Sequence, residues 1–322
     1  MKSPIFLFSL PRSGSTLLQR VLMAHQEIAS VAEPWLMLPF CYAYKREGVL
    51  TEYDHATSYT AFEDFMANLP NKENDYYEAL RIFATTLYEK HCTNDEKYFL
   101  DKTPRYYNII PEIAKTFLDA KFIFLFRNPV HAMSSMIQTW GDGRLNKMYK
   151  YERDLHFGPK ALSEGYKILK DRSYAIRYEQ YVQNPKKYTQ EICKYLEIDF
   201  DEGMLANFAS QNTKGRMGDL TGVKEYKNVD TKPLNKWKNT FNTSFRQKYI
   251  NRYIDSIDED ILKLQGYDKK YILKEINSIK TEKNVALKDR IDLVYSNLVQ
   301  FIKPNIWFGR TTKIWAKNRY LS

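Results

Sequence analysis

Apolar and polar positions follow two rhythms along this chain. Residues 6–10 form an apolar run of strand length that stops at Pro11. A polar turn centred on Gly14 follows, and from Leu17 to Met23 apolar positions recur at helical spacing. This predicts a strand, a tight loop and a helix over residues 16–25. Further strands are predicted at residues 28–31, 98–100, 121–126 and 173–177, and further helices at 155–169 and 180–196, with a new helix starting at Asn184-Pro185. The run from Lys121 to Phe126 is almost continuously apolar, as expected of a strand covered by helices on both faces. Strands alternating with helices predict an α/β fold, a central parallel sheet flanked by helices in three layers.

Between residues 36 and 96 the pattern changes. Phe62, Phe65, Met66 and Leu69, then Tyr77, Leu80, Phe83, Ala84 and Leu87, recur at helical spacing and predict a helical insertion of two or three helices. The Met and aromatic stripe is expected to pack in the core. Residues 212–234 turn to Gly, Lys, Thr and Asp with little periodicity, and a loop this long is usually functional or disordered. Beyond Thr243 the chain reads as helical. The expected division is a domain over residues 1–268, with the insertion at about 36–96, and a basic helical extension over 269–322.

The loop after the first strand carries candidate chemistry. Backbone amides at a helix N-terminus converge where the helix dipole is positive, which suits a phosphate or sulfate group. A Walker A loop would end in Gly-Lys-Ser/Thr, yet no Lys lies between Lys2 and Lys45, and the basic side chain here is Arg12. Ser13, Ser15 and Thr16 add hydroxyl donors. Read alone, Ser13 and Ser15 fit equally well as caps of the first helix. Glu33, Lys102 and Tyr178 each have an ordinary structural alternative as well: a surface carboxylate, a solvated turn lysine and a core tyrosine.

The residues Pro11-Arg12-Ser13-Gly14-Ser15-Thr16-Leu17-Leu18 resemble the 5'-phosphosulfate loop of sulfotransferases that use 3'-phosphoadenosine 5'-phosphosulfate (PAPS). The similarity is greatest to the branch of tyrosylprotein sulfotransferases and many bacterial enzymes, and it covers about residues 3–265. It implies a P-loop-like fold in which Arg12, Ser13, Gly14, Ser15 and Thr16 hold the phosphosulfate. It further implies a 3'-phosphate grip by Arg127 and Ser135, eight residues apart, and Tyr178 lying against the nucleotide. Lys232, in a Lys-Pro loop, would close over it. The resemblance implies catalytic roles for Glu33, as base toward an acceptor hydroxyl, and for Lys102 and Arg12 on the leaving phosphate. Tyrosylprotein sulfotransferases carry an Arg four residues after the serine, where this chain has Thr139, which weakens any transfer of their substrate. His25 is a reserve base.

Composition narrows the partners. The 322 residues are 43% hydrophobic with a net charge of +10, which favours anionic ligands. Cys41, Cys92 and Cys193 are odd in number and far apart, so no disulfide framework is expected. Nor is a metal expected, since the five histidines are scattered. No apolar run approaches the length of a membrane span. The expectation is a cytoplasmic, bacterial enzyme without a nucleic-acid partner, acting on a hydroxyl acceptor that is a carbohydrate or glycolipid. A tyrosyl peptide or small molecule is the alternative acceptor. The tail, with Trp307, Phe308, Trp315 and five basic residues, would either rest on an anionic membrane or pack on the domain. Two other classes stay open, a P-loop kinase or NTPase and a non-catalytic membrane-binding protein.

Overall fold

The computed structural model describes residues 1–211, 213–215, 217, 228–282 and 286–302. Most of the Gly- and Lys-rich loop and all of the basic aromatic tail lie outside the described residues. Five strands, β1 (Ser3–Ser9), β2 (Ile28–Ser30), β3 (Tyr98–Asp101), β4 (Lys121–Phe126) and β5 (Ser173–Arg177), form one parallel sheet in the order β2-β3-β1-β4-β5. The strands at 121–126 and 173–177 fall where the hydrophobic pattern predicts them.

Strand β1 shows why the sheet is central. All seven of its residues are buried. On one face Phe6 and Phe8 pack with Phe122, Phe124 and Phe126, while on the other Ile5 and Leu7 pack with Ile123, Leu125 and Ile176. Alternation thus sorts aromatics to one core and aliphatics to the other, and each face needs a helical layer to exclude water. Helices α1 (Ser15–Leu22) and α9 (Pro185–Leu196) cover the aliphatic face. Helices α4 (Glu73–Glu89), α5 (Ile110–Thr116) and α7 (Gly158–Leu169) cover the aromatic one.

The connections turn one way from β1, to β2 and β3, and the other way from β4, to β5. The crevice at the carboxyl ends of β1 and β4 is therefore the topological switch point, the usual ligand position in such sheets.

Several expectations are corrected in detail. The predicted helix 155–169 opens with one wide π-type turn, Arg153–Phe157, before α7 begins at Gly158. The new helix expected at Asn184-Pro185 is present, however: α8 (Tyr178–Gln183) ends there and α9 begins, because Pro185 lacks the amide needed to continue the first and suits the start of the second. The insertion holds α2 (Met37–Ala43), α3 (His55–Ala67) and α4. Its stripe is only partly core: Met66, Tyr77, Leu80 and Ala84 are buried, but Phe65, Phe83 and Leu87 are exposed. Helix α4 points Tyr77, Leu80, Ala84 and Tyr88 at the sheet, so residues one step further round emerge at its flank, where Phe83 meets Phe40 edge-on at 4.8 Å.

The later helices build a third core. Helices α6 (Pro129–Thr139), α12 (Ser244–Ser256) and α14 (Lys269–Asn277) share it through Met133, Ile137, Ile250, Ile254, Ile272 and Ile276.

Candidate active site

The loop from β1 to α1 turns sharply. Arg12 has φ 64° and Gly14 has φ 87°, both left-handed. For Gly14 the conformation has a second reason: a Cβ there would lie 2.3 and 2.4 Å from Cδ2 and Cε2 of Tyr178. Gly14 is itself the N-cap of α1, with no side-chain cap bond. Capping therefore does not explain Ser13 or Ser15. Both are buried with Thr16 around the helix start, where first-turn amides and the dipole favour an anion.

Across the crevice, β4 delivers Arg127. Asn128 caps α6 by accepting from the Val130 amide at 2.9 Å, and Pro129 occupies the first turn. Glu179 pins this corner: its carboxylate accepts from the Asn128 amide at 3.0 Å and from Tyr267 Oη at 2.7 Å, and His131 Nδ1 lies 3.3 Å away. Burial pushes the Glu179 carboxyl up, but its hydrogen-bonding neighbours outweigh that and hold it below the usual range. The Arg127 guanidinium lies over the Tyr178 ring at 4.4 Å and donates through Nη1 to the Arg12 carbonyl at 2.6 Å. Its Nε is buried and has no acceptor among the described residues. Arg12 reaches the same side, donating to Ser135 Oγ and Thr139 Oγ1, both at 3.1 Å, beside the Trp140 ring. Ser134 turns away and pairs with Thr240 at 2.7 Å, so only Ser135 of the two adjacent serines joins this group.

On the other side of the loop stand Glu33 and Lys102. Lys102 Nζ lies 3.0 Å from Glu33 Oε1 and 3.4 Å from Thr16 Oγ1. The Lys102 side chain is 1% exposed and that of Glu33 12%. Trp35, whose φ is 55°, donates through Nε1 to Glu33 Oε2 at 3.2 Å. Gln19 of α1 donates to Ser30 Oγ and the Val31 carbonyl, tying the strand before Glu33 to the helix that follows the loop.

Beneath this pair lies Asp101, a group the sequence pattern left without a role. It is fully buried and accepts from Tyr88 Oη at 2.6 Å, Tyr106 Oη at 2.9 Å and Thr103 Oγ1 at 3.2 Å. Tyr106 and Thr103 in turn accept from the Met37 and Trp35 amides, so Asp101 anchors the turn that carries Glu33. The only signal in the sequence is an acid closing an apolar strand. Burial pushes its carboxyl up to about 6, against the opposing pull of the three hydroxyls and Lys102. The native state thus keeps a proton that the unfolded chain loses near 3.8, and native binds more protons between those values. Through this group, stability falls as pH rises from about 4 to 6. Denaturant unfolding of wild type and Asp101→Asn should show a stability difference that moves by roughly 2–3 kcal/mol against the wild type over that window. A pH-independent difference would show that Asp101 titrates normally.

Two expected participants lie apart. Lys232 is in a short turn, Lys232–Leu234, with its side chain 85% exposed and 3.3 Å from Asp230. His25 is buried, its Nε2 2.9 Å from the Asp199 carbonyl and its Nδ1 accepting from the Glu27 amide. Both ring nitrogens are thus engaged in local structure.

A crevice at the switch point of a parallel sheet brings together a Lys-free loop, two arginines and a buried Lys–Glu pair, a candidate site for an anion. The chain belongs to the sulfotransferase family, whose profile matches residues 4–202. It is 25% identical over 294 residues to the nodulation protein NoeE of Sinorhizobium fredii, an alignment covering 82% of this chain and 65% of that protein. Over 240 residues it is 25% identical to protein-tyrosine sulfotransferase 1 of Danio rerio, covering 72% of this chain and 63% of that protein. The chain therefore spans just under two thirds of either relative. In three dimensions it is similar to the sulfotransferase domain of the Synechococcus olefin synthase, with a TM-score of 0.51 and 25% identity over 74% of this chain and 89% of that domain.

Proposed function

We propose that this protein transfers the sulfuryl group of PAPS to a hydroxyl of a carbohydrate or glycolipid acceptor. The observation that carries the reading is the position of Lys102, between Thr16 of the phosphate loop and Glu33. A carboxylate that could take a proton is thereby coupled to the loop that would hold the donor. Arg12, Ser13, Gly14, Ser15 and Thr16 would bind the 5'-phosphosulfate. Arg127, whose buried Nε lacks an acceptor among the described residues, would hold the 3'-phosphate with Ser135, and Tyr178 would support the nucleotide beneath Gly14. Lys232 is proposed to approach only as its loop closes.

In the transfer, the acceptor oxygen forms a bond to sulfur as the bond from sulfur to the phosphate oxygen breaks. Glu33 takes the hydroxyl proton. Lys102 and Arg12 offset the charge growing on the departing phosphate oxygen, and such prearranged charges dominate related phosphoryl transfers. No step calls for a metal.

The acceptor class rests on two aromatic faces. Trp35 adjoins Glu33, and Trp140 lies against Tyr151 at 4.4 Å beside Arg12. Sugars stack on such rings. A tyrosyl peptide is the second reading, favoured by the similarity to protein-tyrosine sulfotransferases and opposed by Thr139.

The test is calorimetric titration with 3'-phosphoadenosine 5'-phosphate (PAP), the desulfated product, beside ATP. Micromolar PAP binding, no response to ATP, and a loss of about 100-fold or more in Arg127→Ala are expected, since a charge-assisted phosphate grip contributes on the order of 3 kcal/mol. Preference for ATP would turn the assignment toward a kinase or NTPase.

A further inference from the structure

The last described helix, α15 (Leu287–Ile302), is attached by its polar side. Asp292 is buried and accepts from Arg144 Nε at 3.2 Å and from the Leu145 amide at 3.2 Å. Ser296, also buried, accepts from the Tyr149 amide at 3.1 Å. One turn earlier, Asp289 accepts from Arg246 Nε and Nη2, both at 2.8 Å. The usual surface helix does the opposite, burying apolar residues and showing polar ones.

The outward side is a continuous apolar stripe. Leu287, Ile291, Val294, Leu298 and Phe301 follow one another at intervals of four and three residues, joined by Tyr295 and Ile302. All seven are more than half exposed, and Phe301 reaches 86%. No described residue covers them. Residues Lys288 and Arg290 are exposed beside the stripe. Directly after Ile302 the sequence continues for 20 residues containing Lys303, Arg310, Lys313, Lys317 and Arg319 and no Asp or Glu. These residues hold half of the chain's net charge of +10, together with Trp307, Phe308, Trp315 and Tyr320.

We propose that α15 is a docking face for an anionic lipid surface, in which the stripe enters the headgroup boundary while the adjoining basic residues meet the lipid charge. Charge and composition select this occupant. An apolar helix face joined to a basic, aromatic segment has the composition of interfacial membrane binding, where anionic lipid attracts the Lys and Arg residues and the rings settle at headgroup level. No helix among the described residues is long and apolar enough to cross a bilayer, so the association is peripheral. None of the seven stripe residues belongs to the proposed transfer site, and the function of the face does not depend on the identity of the acceptor.

Flotation of the full chain tests this, with vesicles of phosphatidylcholine alone and of phosphatidylcholine containing phosphatidylglycerol. The chain should rise with the anionic vesicles only and be released by high salt. The outward triple variant Val294→Gln, Leu298→Gln, Phe301→Gln should lower the bound fraction about tenfold or more, with unchanged melting and PAP binding. If that variant does not fold, Phe301→Asp at the most exposed position gives the same reading. Three results overturn the proposal: no flotation with either vesicle, equal flotation of wild type and variant, or a concentration-dependent dimer that the variant disperses in place of lipid binding.

Discussion

Glu33→Gln is expected to lower sulfuryl transfer by about 10²–10⁴ while leaving PAP affinity within a few-fold of wild type, the range typical of removing a general base. The substitution is nearly isosteric. A glutamine can keep its single oxygen toward Lys102, while its amide nitrogen, which cannot accept, gives up the bond from Trp35 Nε1, so the Lys102 contact is preserved while the basicity is lost. The proposed nucleotide contacts lie elsewhere, at Arg127, Ser135 and the loop over residues 12–16. One side effect is built in: Lys102 is 1% exposed and loses its carboxylate partner, which in a buried pair costs about 3–5 kcal/mol when the partner is removed outright. Because glutamine retains a hydrogen bond, a smaller loss is expected, visible as a lower melting temperature. Initial rates with saturating PAPS, set beside a PAP titration of the same preparation, separate the two effects. Unchanged turnover would remove Glu33 from the chemistry, and a parallel loss of PAP binding would make it a structural residue of the loop.

Gly14→Ala should abolish nucleotide binding more completely than loss of any single hydroxyl in the loop. The residue sits at φ 87°, which costs alanine on the order of 1–2 kcal/mol. The new methyl would also stand 2.3 Å from the Tyr178 ring, closer than carbon atoms can approach. That ring cannot swing aside freely, since it is buried and lies under the Arg127 guanidinium. Either the loop lifts off the ring or the ring pushes Arg127, and each outcome separates the two proposed phosphate subsites. Affinity for PAP should fall by about 100-fold or more, as a displacement of about 1 Å in a positioned site is enough to do. Gly14→Ala combined with Tyr178→Ala removes the collision and leaves the backbone strain. A partial recovery of affinity is expected relative to Gly14→Ala alone. No recovery would mean that φ, and not the ring, dictates glycine here.

Much of this architecture was legible in the order of residues. Strand β4 could be placed to the residue because a strand covered on both faces must be apolar along its whole length, as Phe122 to Phe126 are, whereas β5, at the sheet edge, matches its expected bounds with only Ile176 buried. The shape of the loop from β1 to α1 was legible for a related reason. An apolar strand, a left-handed glycine and a helix start are local, each dictated by the residues that form it. The partial exposure of the α3–α4 stripe was not legible, because period alone cannot say how wide a helix face its neighbour covers. Phe83 and Leu80 look equivalent in sequence and differ only in which side of α4 meets the sheet.

The site divides along the same line. Local chemistry marked Arg12, Ser13 and Thr16 at the strand end, and Lys102 and Arg127 each follow a strand and so had to emerge at the same edge of a parallel sheet. Partnership was another matter. That Lys102 would pair with Glu33, 69 residues away, that Ser135 and not Ser134 would receive Arg12, and that Asp101 would hold the turn beneath them are results of strand order and helix rotation. The same holds for α15, whose amphipathic pattern predicts a helix but gives no sign that its polar side faces inward, because that orientation depends on Arg144, Tyr149 and Arg246 from distant segments. Residue type and spacing act over a few residues and determine the elements and the groups they carry. Which groups meet is decided by packing between elements remote in sequence, where burial, shape and charge must all be satisfied at once.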